Sequence, residues 1–149
     1  MKTIVLTKAD IDRIINFERE HAPESPIYQK YKVSDLMEIF DNPRSSAFGM
    51  IEKDELIAWA SYRLVNDTFE MSSLVVHKNF RRKGIGKTLL DHAIKKLLEK
   101  EEKPFIYLTV YTENRDALIL YLKNNFVIYD FKKNYYGEGS HRLFLKYNS

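Results

Sequence analysis

The residues with the clearest chemical potential form one basic, glycine-containing stretch, Arg81-Arg82-Lys83-Gly84-Ile85-Gly86-Lys87. It lies between an apolar segment typical of a strand and the start of a strongly periodic helical pattern. Backbone N–H groups at a helix start lack partners within the helix, and the helix dipole adds about half a positive charge there. Glycines let an anion approach this backbone, and four cationic side chains strengthen the attraction. The stretch therefore predicts an anion site, with a pyrophosphate as its natural ligand.

Two common nucleotide-binding motifs do not fit this stretch. A P-loop requires a glycine at the position of Arg81, and the dinucleotide fingerprint requires its third glycine at the position of Leu89. The dinucleotide motif also needs an acidic residue about 20 positions on, at a strand end that here reads Leu108-Thr109-Val110. The alternative to a ligand site is a solvated basic turn whose glycines only allow the chain to reverse. The residues of the stretch alone leave both interpretations open.

Composition and length restrict the class of protein. With 149 residues, of which 44% are hydrophobic and 30% charged, we expect one globular domain over residues 1–149. The absence of cysteine excludes disulfides, thiolate metal sites and a cysteine nucleophile, and fits a reducing compartment. No apolar run is long enough for a signal peptide or a membrane span, so we expect a soluble, cytoplasmic protein without membrane contacts. A net charge of +3 is too small to predict nucleic-acid binding by itself.

The elements that must position the basic stretch follow from hydrophobic periodicity and turn residues. Their order, β-α-α-β-β-β-α-β-α-β-β, predicts a mixed α/β sheet with helices on both faces. Thr7 and Asp10 form a predicted capping pair for the first helix, and Ser34 is the expected cap of the second. The predicted helix at 114–124 is apolar nearly all round, so we expect it to pack deeply. The predicted strand at 105–110 does not alternate between apolar and polar residues, so we expect it to be buried on both sides. The segments are predicted strands at 2–7, 46–52, 56–64, 68–77, 105–110, 126–131 and 142–147, and predicted helices up to residue 21, from residue 34, after residue 86 and at 114–124.

Two separated motifs resemble those of the GNAT superfamily of N-acetyltransferases. Leu74-Val75-Val76-His77, followed by Phe80 to Gly86, resembles the family's acetyl-CoA motif, R/Q-x-x-G-x-G/A after a strand. Asn114 to Phe126 resembles its second motif, N-x-x-A-x-x-L-Y-x-K-x-G-F, with Asn125 in the place of the glycine. Asparagine tolerates a left-handed backbone better than most residues do. The resemblance extends along nearly the whole chain and implies a mostly antiparallel central sheet with helices on both faces.

The resemblance also implies a site for acetyl-CoA, residue by residue. The backbone of Leu74, Val75 and Val76 is expected to pair with the pantetheine arm and to orient the thioester carbonyl. Asn114 is expected to bond to the same arm, and Tyr121 to face the sulfur. The pyrophosphate is then expected on the loop that comprises Arg81, Arg82, Lys83, Gly84, Ile85, Gly86, Lys87 and Thr88.

The implied chemistry is attack of an amine on a thioester. Without a cysteine or a G-x-S-x-G elbow, direct transfer in a ternary complex is favoured over a covalent acyl-enzyme. The resemblance makes Tyr121 the candidate general acid, although a tyrosine on an apolar helix can equally be a packing residue. Glu70 is the candidate base, expected to share a strand face with Ser72 and Leu74 by period-two alternation. An exposed strand glutamate, with a water chain removing the proton, is the alternative.

The resemblance places the amine acceptor between the loop that joins the first two helices and the last two strands. Tyr28, Tyr31, Tyr135 and Tyr136 are the expected contacts, and Tyr135-Tyr136-Gly137-Glu138-Gly139 resembles the Y-Y-G-x-G of enzymes that acetylate protein N-termini. Acidic and small residues usually follow there, whereas this chain has Ser140-His141-Arg142. A tyrosine-rich hairpin that serves packing or a homodimer contact is the alternative.

The identity of the acceptor stays open, since a protein N-terminus, a lysine and a small amine all fit. No metal site is expected, because the histidines lack partners at ligand spacing. A non-catalytic acyl-CoA-binding module that uses the same loop for regulation is the second functional hypothesis. An RNA-binding domain is disfavoured because the positive charge is local and the aromatic residues form no alternating platform.

Overall fold

A computed structural model of the chain describes residues 1–24 and 28–148. Residues 25–27, part of the predicted acceptor loop, lie outside this description. Short 3₁₀ turns at Lys8–Asp10 and Lys78–Phe80 precede α1 and the basic stretch. The strands and helices are β1 (Lys2–Leu6), α1 (Ile11–His21), α2 (Val33–Asp41), β2 (Ser46–Glu52), β3 (Glu55–Val65), β4 (Thr68–Val76), α3 (Ile85–Lys100), β5 (Ile106–Tyr111), α4 (Arg115–Lys123), β6 (Phe126–Lys132) and β7 (Arg142–Tyr147).

The seven strands form one mostly antiparallel sheet in the order β1-β2-β3-β4-β5-β7-β6, which confirms the predicted fold class. Two tight hairpins connect β2 to β3 and β3 to β4. Their central residues, Lys53-Asp54 and Asn66-Asp67, all have positive φ, as two-residue turns between twisted strands require. The one parallel pair is β4–β5, which is joined by the α3 crossover.

Helices cover both faces of the sheet, as expected. On one face α1 and α2 bury Ile14, Phe17, Leu36 and Ile39 against Trp59 and Val75. On the other face α3 buries a full apolar stripe against β2, β3 and β4. The stripe consists of Ile85, Leu89, Leu90, Ala93, Ile94 and Leu97. Helices therefore cover both faces of the central strands, and the ends of these strands remain available to form a site.

Several local predictions were right and three were wrong. Thr7 and Asp10 form the capping box as predicted. Ser34 does not cap α2, because the helix begins at Val33 and Lys32 is its N-cap, with Asp35 accepting from the Lys32 amide. The later helix, α4, does not pack deeply: Ile119 and Leu122 are 50% and 45% exposed because α4 lies at the sheet margin. Strand β5 is not buried on both sides either, since Tyr107 and Thr109, on one face of the strand, are only half-buried.

Candidate active site

Strands β4 and β5 separate soon after they meet, and the site lies in the resulting gap. Their parallel pairing comprises Phe69 with Ile106 and Glu70 with Tyr107. Beyond these pairs, Ser72 to Val75 of β4 and Thr109 to Tyr111 of β5 face each other across a cavity of about 350 Å³. Beyond Glu70 and Tyr107 the two strands no longer pair with each other, which leaves room between them for an extended ligand.

A β-bulge in β4 accounts for the separation. Ser73 pairs with Ser61 and Met71 with Tyr62, so Ser72 is the extra residue on β4. A bulge bends its strand and increases the local twist, which turns the end of β4 away from β5. The Ser61 hydroxyl lies 2.7 Å from the Ser72 hydroxyl and 2.8 Å from that of Ser73, which fixes the bulge.

The bulge also overturns the predicted alternation along β4. Leu74 packs on the α3 face with Phe69 and Met71, whereas Glu70 lies on the opposite face and pairs with Arg63. Glu70 therefore does not share a face with Leu74. One inserted residue shifts every later side chain to the other side of the sheet.

The end of β4 presents free backbone groups to the gap. The amide of His77 donates to Ile57 of β3 at 2.8 Å, so by alternation the amides of Val76 and Leu74 point away from β3. Val75 pairs its backbone with Trp59 instead, and its side chain is buried beneath α1 and α2. Of the three predicted residues, Leu74 and Val76 thus offer polar atoms to a ligand in the gap.

The start of α3 lies directly beside this strand end. Gly84 caps the helix in the left-handed conformation (φ 79°), which glycine adopts without strain. The first helical bond runs from the Thr88 amide to the Gly84 carbonyl, so the amides of the preceding turn have no partner within the helix. A Cβ on Gly86 would lie 3.6 Å from Leu120 and 3.7 Å from Val76. The N-terminal end of α3, the α3 mouth, therefore lies where α4 and the end of β4 meet.

The basic side chains of this loop have different surroundings. Arg81 points inward and donates to the carbonyls of Val76 and His21 at 3.1 and 2.8 Å, which ties β4 to α1. Arg82 extends into solvent near Asp116 of α4, and Lys87 pairs with Asp91 at 2.6 Å. Arg81 is therefore a structural link, while Arg82, in an exposed ion pair with Asp116 at 3.6 Å, and the exposed Lys83 lie where they can approach an anion.

The second motif contributes two side chains to the same cavity. Asn114 caps α4 by accepting from the Ala117 amide at 3.3 Å, which leaves its amide nitrogen available as a donor. Tyr121 lies one turn before the helix end, packed edge-on against Phe126. Burial raises the pKa of Tyr121 to about 12, so its hydroxyl keeps its proton at physiological pH. Asn125 has φ 69°, the left-handed conformation expected there.

Glu70 lies at the point where β4 and β5 separate, and it lines the cavity. Its Oε1 accepts from Nε of Arg63 at 2.7 Å, and the carboxylate is almost completely buried. The pairing holds the side chain in one orientation at the point where the strands separate. Its second oxygen has no hydrogen-bond donor within the described part of the chain and is available to a ligand.

The part of the cavity that the resemblance assigns to the acceptor is organised by a residue that the sequence did not reveal. Glu18 of α1 is 1% exposed and accepts from Nε1 of Trp59 at 3.1 Å, and from the Tyr31 amide and the Tyr28 hydroxyl at 3.2 Å each. Burial raises the pKa of this carboxylate above its ordinary value. The Tyr31 hydroxyl in turn donates to the Ser72 carbonyl at 2.6 Å. Glu18 thus fixes both predicted tyrosines at the cavity wall.

The β6–β7 hairpin supplies one of its two predicted tyrosines. Tyr136 lines the cavity, whereas Tyr135 packs edge-on against Phe144 outside the described cavity lining. Arg142, at the start of β7, lines the cavity as well, with its guanidinium carbon 3.3 Å from the ring centre of Tyr111. The departure from the family pattern after Gly139 already distinguished the segment with Arg142 in the sequence. Nothing in the sequence indicated that Arg142 lies against the Tyr111 ring.

Comparisons with known proteins agree with this geometry. Residues 11–126 match the acetyltransferase (GNAT) family. This chain belongs to the GNAT family. An N-alpha-acetyltransferase of Saccharolobus solfataricus is 31% identical over 140 residues, covering 87% of this chain and 82% of that protein.

Solved structures share the complete fold. The PaiA N-acetyltransferase of Thermoplasma acidophilum, in complex with coenzyme A, superposes with a TM-score of 0.79 at 22% identity, covering 100% of both chains. Arabidopsis thaliana Naa50, in complex with the bisubstrate analogue CoA-Ac-MVNAL, gives a TM-score of 0.79 at 20% identity and covers 99% of this chain and 98% of that one.

This GNAT protein is an acetyltransferase that uses coenzyme A thioesters, and these findings favour an enzyme over a non-catalytic binding module. The residues present fit the cofactor, since the amides at the start of α3 have no partner within the helix and adjoin the end of β4, where the Leu74 amide points away from β3. In residues 1–24 and 28–148 no group of three or more potential ligand side chains could hold a metal ion. None of the described helices has the length and apolar character to cross a membrane.

Proposed function

We propose that this GNAT acetyltransferase transfers an acetyl group directly from acetyl-CoA to the α-amino group of a peptide or protein N-terminus. The observation that carries the proposal is one cavity lined both by Leu74, Asn114 and Tyr121, which are expected to contact the cofactor, and by Tyr28 and Tyr31, which are expected to contact the acceptor. Both substrates can then be bound together, as direct transfer requires. The similarity to an N-alpha-acetyltransferase supports the choice of acceptor.

The cofactor half is proposed to hold acetyl-CoA through backbone and helix-terminus contacts. The amides of Ile85, Gly86 and Lys87 would receive the diphosphate, because helix starts favour anions. Arg82, Lys83 and the side chain of Thr88 adjoin this mouth, although the Thr88 hydroxyl already donates to the Gly84 carbonyl at 3.0 Å. Asn114 would donate its free amide to the pantetheine arm.

The chemical step is proposed to use three groups around the thioester. The outward amide of Leu74 would stabilise the oxyanion that forms when the amine nitrogen attacks the carbonyl carbon. As the C–S bond breaks, the Tyr121 hydroxyl would give its proton to the departing thiolate sulfur. Glu70, through the oxygen that Arg63 leaves free, would take the proton lost by the amine, directly or through a water.

Steady-state kinetics tests this proposal. Initial rates measured with acetyl-CoA and a peptide with a free N-terminus are expected to give intersecting double-reciprocal lines. Parallel lines, or an isolated acetyl-enzyme, would contradict direct transfer. A peptide with a blocked N-terminus and an internal lysine is the control for the acceptor. Preferential acetylation of that control, or of a small polyamine, would overturn the choice of α-amine.

Two further predictions concern the cellular location and the oligomeric state of the protein. A cytoplasmic location and a homodimer stay predictions, and light scattering of the purified protein tests the second. The exposed aromatic residues of the last hairpin, among them Phe131 and Tyr135, are where we expect a homodimer contact.

A further inference from the structure

We propose that Arg142 binds a carboxylate of the acceptor, so that the enzyme prefers acceptors with an acidic group close behind the reacting amine. This inference rests on the proposed function and adds the substrate class to it. Arg142 lines the same cavity as Tyr31 and Glu70, on the side where the acceptor enters. Its backbone pairs with Tyr111 at the end of β5, so the residue is fixed to the rigid sheet.

Two aromatic rings hold the guanidinium of Arg142 in place. Its central carbon lies 3.3 Å from the ring centre of Tyr111 and 4.7 Å from that of Tyr136. Stacking on aromatic faces leaves the edge of the planar guanidinium, with its N–H groups, available to a ligand. The side chain is therefore preorganised, and little conformational entropy remains to be lost on binding.

The Arg142 guanidinium has no counter-ion among the residues that the structure describes. Its Nε is buried and lacks a hydrogen-bond partner, and no carboxylate within residues 1–24 and 28–148 lies at ion-pair distance from Arg142. The acidic residues that line the cavity are engaged or exposed: Glu70 pairs with Arg63, Asp35 accepts from the Lys32 amide, and Glu38 lies on the solvent side of α2. A partly buried cation that has aromatic neighbours but no counter-ion favours an anionic ligand.

A carboxylate is the anion that fits this position. A planar guanidinium edge matches a carboxylate through two parallel N–H···O bonds, and such charge-assisted pairs are the strong ones in proteins. The diphosphate of the cofactor is expected at the α3 mouth, so the ligand of Arg142 belongs to the acceptor. The carboxylate can come from an acidic side chain near a peptide N-terminus or from the α-carboxylate of a free amino acid. Both sources share the same chemistry, and the test separates them.

The test compares matched acceptors. Pentapeptides carry Glu at the first, second or third position, each against the same peptide with Gln, and free glutamate and glycine form the small-molecule arm. At one peptide position we expect Glu to raise kcat/KM about tenfold or more over Gln, mainly through KM. If only the acetylation of free glutamate depends on Arg142, the carboxylate belongs to a small acceptor instead of a peptide.

Variants connect this preference to Arg142. In Arg142→Gln the preference is expected to disappear, and in Arg142→Glu a peptide with Lys at that position is expected to become the better acceptor. Lys132→Gln is the control, since Lys132 also lies over an aromatic ring, that of Phe144, but outside the described cavity lining. Unchanged affinity for coenzyme A confirms that each variant is folded.

The outcomes are distinguishable. If the wild type acetylates the Glu and Gln peptides equally well, or if Arg142→Gln keeps the preference, the inference about Arg142 is wrong while the proposed function stands. If neither peptides nor amino acids are acetylated, the proposed acceptor class is wrong and the inference is wrong with it.

Discussion

The two halves of the cavity are built in different ways. The cofactor half consists of consecutive backbone, namely the end of β4 after the bulge at Ser72 and the first turn of α3 after Gly84. The acceptor half consists of side chains from distant segments, which a buried carboxylate, Glu18, and the stacked Arg142 hold together. A binding site made of backbone groups keeps its shape when side chains are substituted, whereas a site made of side chains changes with each substitution. We therefore expect the cofactor half to set the reaction and the acceptor half to set its selectivity.

The largest expected effect comes from placing a negative charge in the mouth of α3. Gly86→Glu is expected to weaken coenzyme A binding about a hundredfold or more, because a carboxylate beside Val76 and Leu120 would occupy the amides that bind the anion. Isothermal calorimetry measures the dissociation constant. Leu98→Glu adds the same charge on an exposed site about 18 Å further along α3 and should change the affinity little. A folded Gly86→Glu protein with near wild-type affinity would show that the diphosphate binds elsewhere.

The second prediction concerns Tyr121, whose substitution is expected to affect the chemical step but not the binding of coenzyme A. Tyr121→Phe is expected to lower kcat more than tenfold while coenzyme A binding is unchanged, because only the transferable proton is lost. Tyr147→Phe is the matched control, since its ring also packs edge-on against Phe126 but outside the described cavity lining. Pre-steady-state acetyl transfer and calorimetry give the two quantities. Equal turnover of the two variants would remove Tyr121 from the mechanism.

The smallest effect concerns the acceptor half alone. Glu18→Gln is expected to raise KM for the peptide several-fold without changing coenzyme A affinity, because an amide cannot accept from all the donors that now converge on the carboxylate. Glu20→Gln, a highly exposed site on the same helix, is the control. An altered coenzyme A affinity with an unchanged peptide KM would contradict the division into two halves.

Glu18 also predicts a pH dependence of stability. Burial holds the pKa of this carboxyl above its ordinary value, so the folded protein binds the proton more tightly than the unfolded chain does. The stabilisation by this proton is complete below the unfolded pKa, about 4.3, and is lost as pH rises through the folded pKa. The free energy of unfolding of the wild type, relative to Glu18→Gln, is therefore expected to fall over this range in denaturant titrations. A relative stability that rises with pH would contradict this assignment.

The sequence by itself determined the order of elements and the helix after Gly84, and it predicted an anion site at the start of that helix. These features depend on local properties, namely hydrophobic periodicity, turn residues with positive φ such as Asn125, and unpaired amides at a helix start. The two motifs also identified the family, because each keeps its chemistry within a few consecutive residues. The same resemblance assigned Tyr28, Tyr31 and Tyr136 to the acceptor; all three line the cavity, and their contact with an acceptor stays a prediction.

The tertiary structure alone decided how the strands separate and what the acceptor meets. The bulge at Ser72 depends on hydroxyl contacts with Ser61 on the neighbouring strand, so period-two alternation placed Glu70 and Leu74 wrongly on one face. Glu18 meets Trp59 across 41 residues, and Arg142 meets the Tyr111 ring only because β5 and β7 are neighbours in the sheet. Contacts of this kind leave no local periodic signal, because the residues that define them come together only when the whole sheet is formed.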